Sequence, residues 1–266
     1  MRERVPVVVQ GARRSGLARA AWCGGEIAVT VGLVLLLLVV HQLWWTNRQA
    51  RDAAEEKVEA LERQWRNQDG PAGPSGPSGP SEPAGPAVGP TPTEPGNAPA
   101  DDRPAARESR GPAPPRWDQA YAVLSIPKLG VRVPVAEGVG KAGVLDKGYV
   151  GHYPRTAQPG RPGNFAVAGH RNTHGEPFRY VNRLRPGDRI EVRTAQASYT
   201  YEVDRTLPQT LPGDGGVIDP VPRSAVKAGA GYEERGYYIT LTTCTPEFSS
   251  EYRLVVWGKL QSARAR

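Results

Sequence analysis

The chain has 266 residues, with 34 Lys+Arg against 27 Asp+Glu, and 31 Gly and 27 Pro beside only 3 Phe. Fourteen of the prolines and eight of the glycines fall in residues 70–116, which excludes that stretch from a packed core. The positive excess is spread over the C-terminal part without a Lys/Arg-rich run, arguing against a nucleic-acid partner, and two cysteines exclude a disulfide scaffold or a Cys-rich zinc site.

Residues 1–23 read as a basic cytoplasmic tail, because the 22 residues before Cys23 hold five arginines and a single acid, Glu3. Residues 24–45 read as a transmembrane helix. Within them, residues 27–45 form a 19-residue run without a formal charge, about the length needed to cross a hydrocarbon core of roughly 30 Å. Trp44 and Trp45 close the run as interfacial anchors do, whereas a cleaved signal peptide has a shorter apolar region and a small-residue cleavage site. The positive-inside rule puts the N-terminus in the cytoplasm and everything after Trp45 outside. This predicts a single-pass protein of the plasma membrane. Cys23, at the start of the span, reads as a small apolar filler.

Residues 46–68 are charged and free of Gly and Pro. Val58, Leu61 and Trp65 recur at spacings of three and four, which predicts a juxtamembrane helix with one narrow apolar stripe. A solvated stalk is the expected reading, with a partner helix as the alternative. Residues 69–116 open on four Gly-Pro-x triplets, too few for a triple helix, and read as a disordered Pro/Gly linker. As a semi-rigid spacer at ~3.1 Å per residue, it would hold a domain on the order of 150 Å from the lipid.

The folded unit is expected over residues 117–266. Its apolar pattern is short and β-like at residues 121–126, 131–135, 164–170, 189–194, 199–205, 237–243 and 252–260, with Gly/Pro/Asp turn signals between. The expected class is all-β, a small closed or nearly closed barrel.

Cys244 ends the alternating strand ITLTTC, Pro246 blocks the ladder after it, and the chain returns in YRLVVWGKL. If the two strands pair as a hairpin, Arg253 lies close to Cys244. A histidine on the same rim would complete a set of nucleophile, proton-transfer group and oxyanion cation. His170 ends its own strand, but the residues alone leave His152, His170 and His174 open.

TLTTC with an Arg nine residues after the Cys, and AGHR some 74 residues before it, resemble a sortase, a membrane-anchored cysteine transpeptidase of Gram-positive bacteria. The stretch GHYPRTAQPGRPGNFAVAGHR resembles in particular the class E sortases of actinobacteria. The resemblance covers residues 120–260 and implies an eight-stranded barrel with His170, Cys244 and Arg253 as the catalytic residues. It also implies cleavage of a C-terminal sorting signal (LAxTG-like, or LPxTG) between Thr and Gly, through a Cys thioester. The acyl group would pass to a peptidoglycan amine of a lipid II-like precursor, so the expected partners are secreted proteins carrying sorting signals, the membrane and that amine. Tyr153 is expected near the substrate's second residue, with barrel packing as the alternative. Thr243 is expected either to contact substrate or to face the core.

No cofactor or metal site is proposed, since no His/Asp/Glu spacing matches a ligand set. LPQTL, residues 207–211, resembles a sorting signal but ends in Leu and has no apolar tail after it, so a loop bordering the substrate groove is expected there. Competing readings are a pilin-polymerising or hydrolytic sortase, a wall-acting L,D-transpeptidase and a catalytically inactive surface module. Thr245 and Pro246 after Cys244 do not fit the L,D-transpeptidase pattern.

Overall fold

The computed structural model describes residues 16–69, 116 and 119–266. Most of the basic tail, the linker and Trp117 lie outside the described residues. Helix α1 (Gly16–Asp69) is unbroken over 54 residues, so the predicted span and the juxtamembrane segment are one rod. Between Ala21 and Gln68 it contains a window of mean hydropathy 2.4, none of it buried, long and apolar enough to cross a membrane.

The second half of α1 corrects the expectation of a solvated stalk. Val58, Leu61 and Trp65 pack against Ala120, Val123, Ala136 and Val144 of the folded unit, and Val58 is fully buried. The three-and-four spacing is that of a helix laid on a sheet. Polar contacts flank the stripe. Glu62 pairs with both Arg132 and Arg193. Asn47 Oδ1 accepts the Gly175 N–H at 2.6 Å, and Arg51 reaches Glu176 at 2.9 Å and the Gly175 carbonyl at 3.1 Å. Gly148 packs against the side of this helix at Ala50. Its φ is +78°, a left-handed conformation, and a Cβ there would lie 2.7 Å from the Ala50 carbonyl oxygen.

The folded unit is a closed barrel of eight strands: β1 (Ala120–Ile126), β2 (Val131–Glu137), β3 (Val150–His152), β4 (Gly163–Ala168), β5 (Arg189–Thr194), β6 (Ala197–Thr210), β7 (Tyr237–Thr245) and β8 (Tyr252–Ala265). They close in the order β1-β2-β3-β4-β7-β8-β6-β5, with β2–β3 and β4–β7 parallel and the other pairs antiparallel. The seven predicted runs each appear as a strand. Strand β3 was missed because three residues are too few to show alternation. The LPQTL segment is also corrected. Leu207 and Thr210 pair with Val255 and Arg253, so LPQT is the bulged end of β6 rather than a loop.

Alternation sorts the two faces. Ile239 and Leu241 of β7, Leu254 and Val256 of β8, and Phe165 and Val167 of β4 fill the barrel interior. Tyr238, Val255 and Trp257 point outward, where Val217 and Tyr232 of the β6–β7 connection cover them. By the same parity, Thr242, Cys244 and Arg253 lie on the outer face.

That connection is pinned by Asp214, whose carboxylate accepts hydrogen bonds from Thr210, Ser224 and the Ala225 N–H. Burial alone would raise its carboxyl, but these three bonds outweigh it and hold the pKa below the ordinary 3.8. A lowered folded-state value adds stability that is complete above 3.8 and disappears as pH falls through the folded value. Asp214→Ala is therefore expected to cost about 1–3 kcal/mol at neutral pH. In urea unfolding, that difference from the parent should shrink below pH 3.8, whereas a loss that is constant with pH would assign it to packing alone.

Candidate active site

Strands β7 and β8 set two of the three expected residues opposite each other: Cys244 and Arg253 are register partners on the outer face. Strand β4 supplies the third. It runs parallel to β7 with Ala168 beside Thr242, so the two residues that follow bring His170 to the level of Cys244. Bonds between the two segments hold this register. Gly169 N–H donates to the Thr242 carbonyl at 3.1 Å, and the Thr243 hydroxyl donates to the Gly169 carbonyl at 2.8 Å. Thr243 is buried with its hydroxyl committed to that bond, which is the core-facing alternative of the two expected for it. Cys244 is a free, half-buried thiol.

The three histidines separate clearly. His152 is fully buried, with Nδ1 bonded to Glu137 at 2.8 Å and Tyr121 at 2.9 Å, and Nε2 to Thr156 at 2.9 Å and the Ala157 carbonyl at 3.2 Å. Both ring nitrogens are engaged, so it is a structural residue. His174 stacks on His170 with ring centroids 5.2 Å apart. His170 is partly exposed, and its Nε2 bonds Asp146 Oδ1 at 2.8 Å.

Asp146 is a site residue that the sequence did not reveal. It sits in a short 3-10 turn, 24 residues before His170, where no motif flags it. Its carboxylate fixes the imidazole ring and leaves Nδ1 for proton exchange, the role of a third, orienting group behind a nucleophile–base pair. Among the described residues, Asp146, His170 and His174 also bring one oxygen and two nitrogens within 4.8 Å of one another, a group that could hold a metal ion. Because Asp146 is a third exposed, Asp146→Ala is expected to lower kcat only about ten-fold with KM nearly unchanged. A displaced pH–rate profile should accompany the loss; an unshifted profile would show that the acid does not act through His170.

Arg171, which follows His170 in AGHR, has a role that no local pattern reveals. It is buried, and its Nη1 donates to the Cys244 carbonyl at 3.2 Å and the Thr245 hydroxyl at 2.9 Å, bracing the strand end behind the thiol. Arg253 Nη1 donates to the carbonyls of Ser250 and Tyr252, both at 2.9 Å, which leaves Nε and Nη2 as donors for a ligand. The Tyr153 hydroxyl bonds Thr242 Oγ1 at 3.0 Å, placing this ring beside the outer-face row that ends in Cys244.

The sortase domain family model matches residues 124–261, most of this barrel. The chain belongs to the sortase family. Its sequence is similar to Sortase SrtE1 of Streptomyces coelicolor, with 42% identity over 96% of this chain and 61% of that protein, and to Sortase SrtE2 of the same organism, with 32% identity over 94% and 87%. This sortase-family chain thus spans about three-fifths of the length of SrtE1. Among solved structures, Sortase E1 from S. coelicolor with a tripeptide in the active site is 52% identical, with a TM-score of 0.53 over 56% of this chain and 92% of that one. The SrtA sortase from Actinomyces oris is 36% identical, with a TM-score of 0.51 over 58% and 86%. The class E resemblance and the closed eight-stranded sortase barrel are both borne out.

Proposed function

We propose that this sortase is a membrane-anchored cysteine transpeptidase that cleaves an LAxTG-like sorting signal between Thr and Gly. It transfers the secreted protein to a peptidoglycan amine. The observation that carries the reading is the pairing of Cys244 with Arg253 across β7–β8, with His170 at the end of the neighbouring strand. The tripeptide in the active site of the similar Sortase E1 supports a peptide substrate.

In this reading Cys244 Sγ gives its proton to His170 and attacks the Thr carbonyl, whose electrons move onto oxygen. Arg253 donates to that oxyanion from Nε or Nη2. Collapse breaks the Thr–Gly bond as His170 protonates the departing Gly amine, leaving a thioester on Cys244. The incoming amine then gives its proton to His170 and attacks the thioester, Cys244 leaves as the thiolate, and the proton on His170 returns it to the thiol. Tyr153 contacts the residue two before the Thr, and Thr243 holds the Cys-bearing strand against the His-bearing one. Five arginines before Cys23 support an orientation with the N-terminus in the cytoplasm and the barrel outside.

The test uses the full chain in nanodiscs with LAxTG and LPxTG peptides, with and without a diamino acid acceptor, read by mass spectrometry. A Thr-linked adduct from LAxTG is the expected product. Adducts from LPxTG alone would retain the transpeptidase and discard the LAxTG preference. Released Thr carboxylate with no amine adduct would point to hydrolysis.

A further inference from the structure

We propose that the second half of α1 fixes the height of the barrel, so that the rim carrying His170 and Cys244 stands at the outer edge of the lipid headgroups, with the bilayer surface as its partner. The proposal rests on residues 27–45 being the membrane span.

Heights follow from the helix. The charge-free run ends at Trp45. Asn47, whose Oδ1 holds the Gly175 N–H, is two residues farther, and Ala50, whose carbonyl closes on Gly148, is five. At a rise of 1.5 Å per residue these contacts stand roughly 3 and 8 Å above the end of the span. A headgroup layer is about 5–7 Å thick on each side of a ~30 Å core. The loop after His170 therefore lies within the headgroups. The Asp146–His170 pair stands just above them, since Asp146 is two residues from Gly148 and His174 adjoins Gly175.

The far end of the dock is equally well marked. Trp65 lies beneath the Arg266 guanidinium, 5.6 Å from its ring centroid, and the Arg266 N–H donates to the Gln196 carbonyl at 2.9 Å. Gln196 is thus about 27 Å farther from the lipid than Gly175, the rise between Asn47 and Trp65. Contacts at Asn47, Arg51, Val58, Leu61, Glu62 and Trp65 span five turns of one helix, so the barrel has neither vertical nor rotational freedom on it.

The clamp extends to the nucleophile's side of the rim. Glu176, almost wholly buried, pairs with Arg51 at 2.9 Å and Arg179 at 2.7 Å, and Arg179 pairs with Glu247 at 3.1 Å on the β7–β8 connection. This line of alternating charges ties the helix to the segment that follows Cys244. A peptide whose apolar tail is still in the bilayer, or an amine borne by a lipid-linked acceptor, would meet Cys244 at the depth where each leaves the membrane.

The test uses the full chain with Cys23→Ser and Cys244→Ala and one nitroxide-labelled cysteine, at Thr173→Cys or Gln196→Cys, both exposed positions. The protein is placed in nanodiscs whose lipids carry nickel-chelating headgroups. Nickel-induced relaxation is expected to be at least about five-fold stronger at position 173, because the two labels stand roughly 27 Å apart along the helix. Adding Val58→Asp should erase the difference; Glu62→Lys, which reverses the pairing with Arg132 and Arg193, serves if that variant does not fold. Equal relaxation at the two labels in disc-bound protein would overturn the docking while leaving the span intact. A difference that persists in a folded dock variant would also overturn it. A chain that does not enter the discs would overturn the span reading, and the proposal with it.

Discussion

Cys244→Ala is expected to abolish the thioester and to lower kcat/KM for the peptide at least about 10,000-fold, some 5.5 kcal/mol of transition-state stabilisation. No neighbouring group can take over. Cys23 is in α1, the Thr243 hydroxyl is spent on the Gly169 carbonyl, and the Thr242 hydroxyl lies between Tyr153 and the Val167 carbonyl. The barrel should be unaffected, because the thiol sits half-buried at the rim, outside the packed interior. Mass spectrometry of the stalled enzyme and the near-ultraviolet circular dichroism spectrum check the two halves of this expectation. Product formation above one part in a hundred, with a native spectrum, would refute covalent catalysis through Cys244.

The second large effect separates two histidines that sequence alone leaves equivalent. His170→Ala is expected to reduce kcat by about 100- to 10,000-fold, the range for removing a positioned proton-transfer group. Its ring is partly exposed and bonded only at Nε2, so the melting temperature should barely move. His152→Ala should do the reverse. It empties a fully buried site and leaves Glu137, Tyr121 and Thr156 without their shared partner, at a cost of about 2–4 kcal/mol. What folded His152→Ala remains should keep most of its turnover per molecule. Calorimetry and single-turnover assays on both variants decide the matter, and a His170→Ala enzyme with near-parental kcat would remove the imidazole from the mechanism.

Most of the barrel was legible because its strands alternate and are separated by turn residues. The strand at residues 189–194 was read to the residue, and the Cys244–Arg253 pairing followed from one hairpin. Contacts between distant segments were not legible. Asp146 meets His170 through a 3-10 turn on another part of the rim, and Arg171 reaches Cys244 across β4–β7, neither carrying a local pattern. The apolar stripe at Val58, Leu61 and Trp65 was visible, but periodicity reports that a face is buried and not what buries it. His170 ends a predicted run, whereas His152 ends a strand too short to show in the sequence; the residues alone leave both open, and the hydrogen bonds separate them.

The shared cluster of Trp65 and Ala120 changes what the Pro/Gly segment can mean for this protein. Whatever path residues 70–115 take, they leave α1 and re-enter at β1 beside the point of departure. The end of α1 and the start of β1 are held together by this packing, so the domain's position is independent of the number of residues between them. Closing a connection between two points so held costs only about 0.6 kcal/mol more for each doubling of its length. Insertions, deletions and compositional drift there are nearly neutral for folding. The segment is free to vary in evolution, while the helix beside it, whose register places every contact with the barrel, cannot lose a single residue without turning its apolar face away.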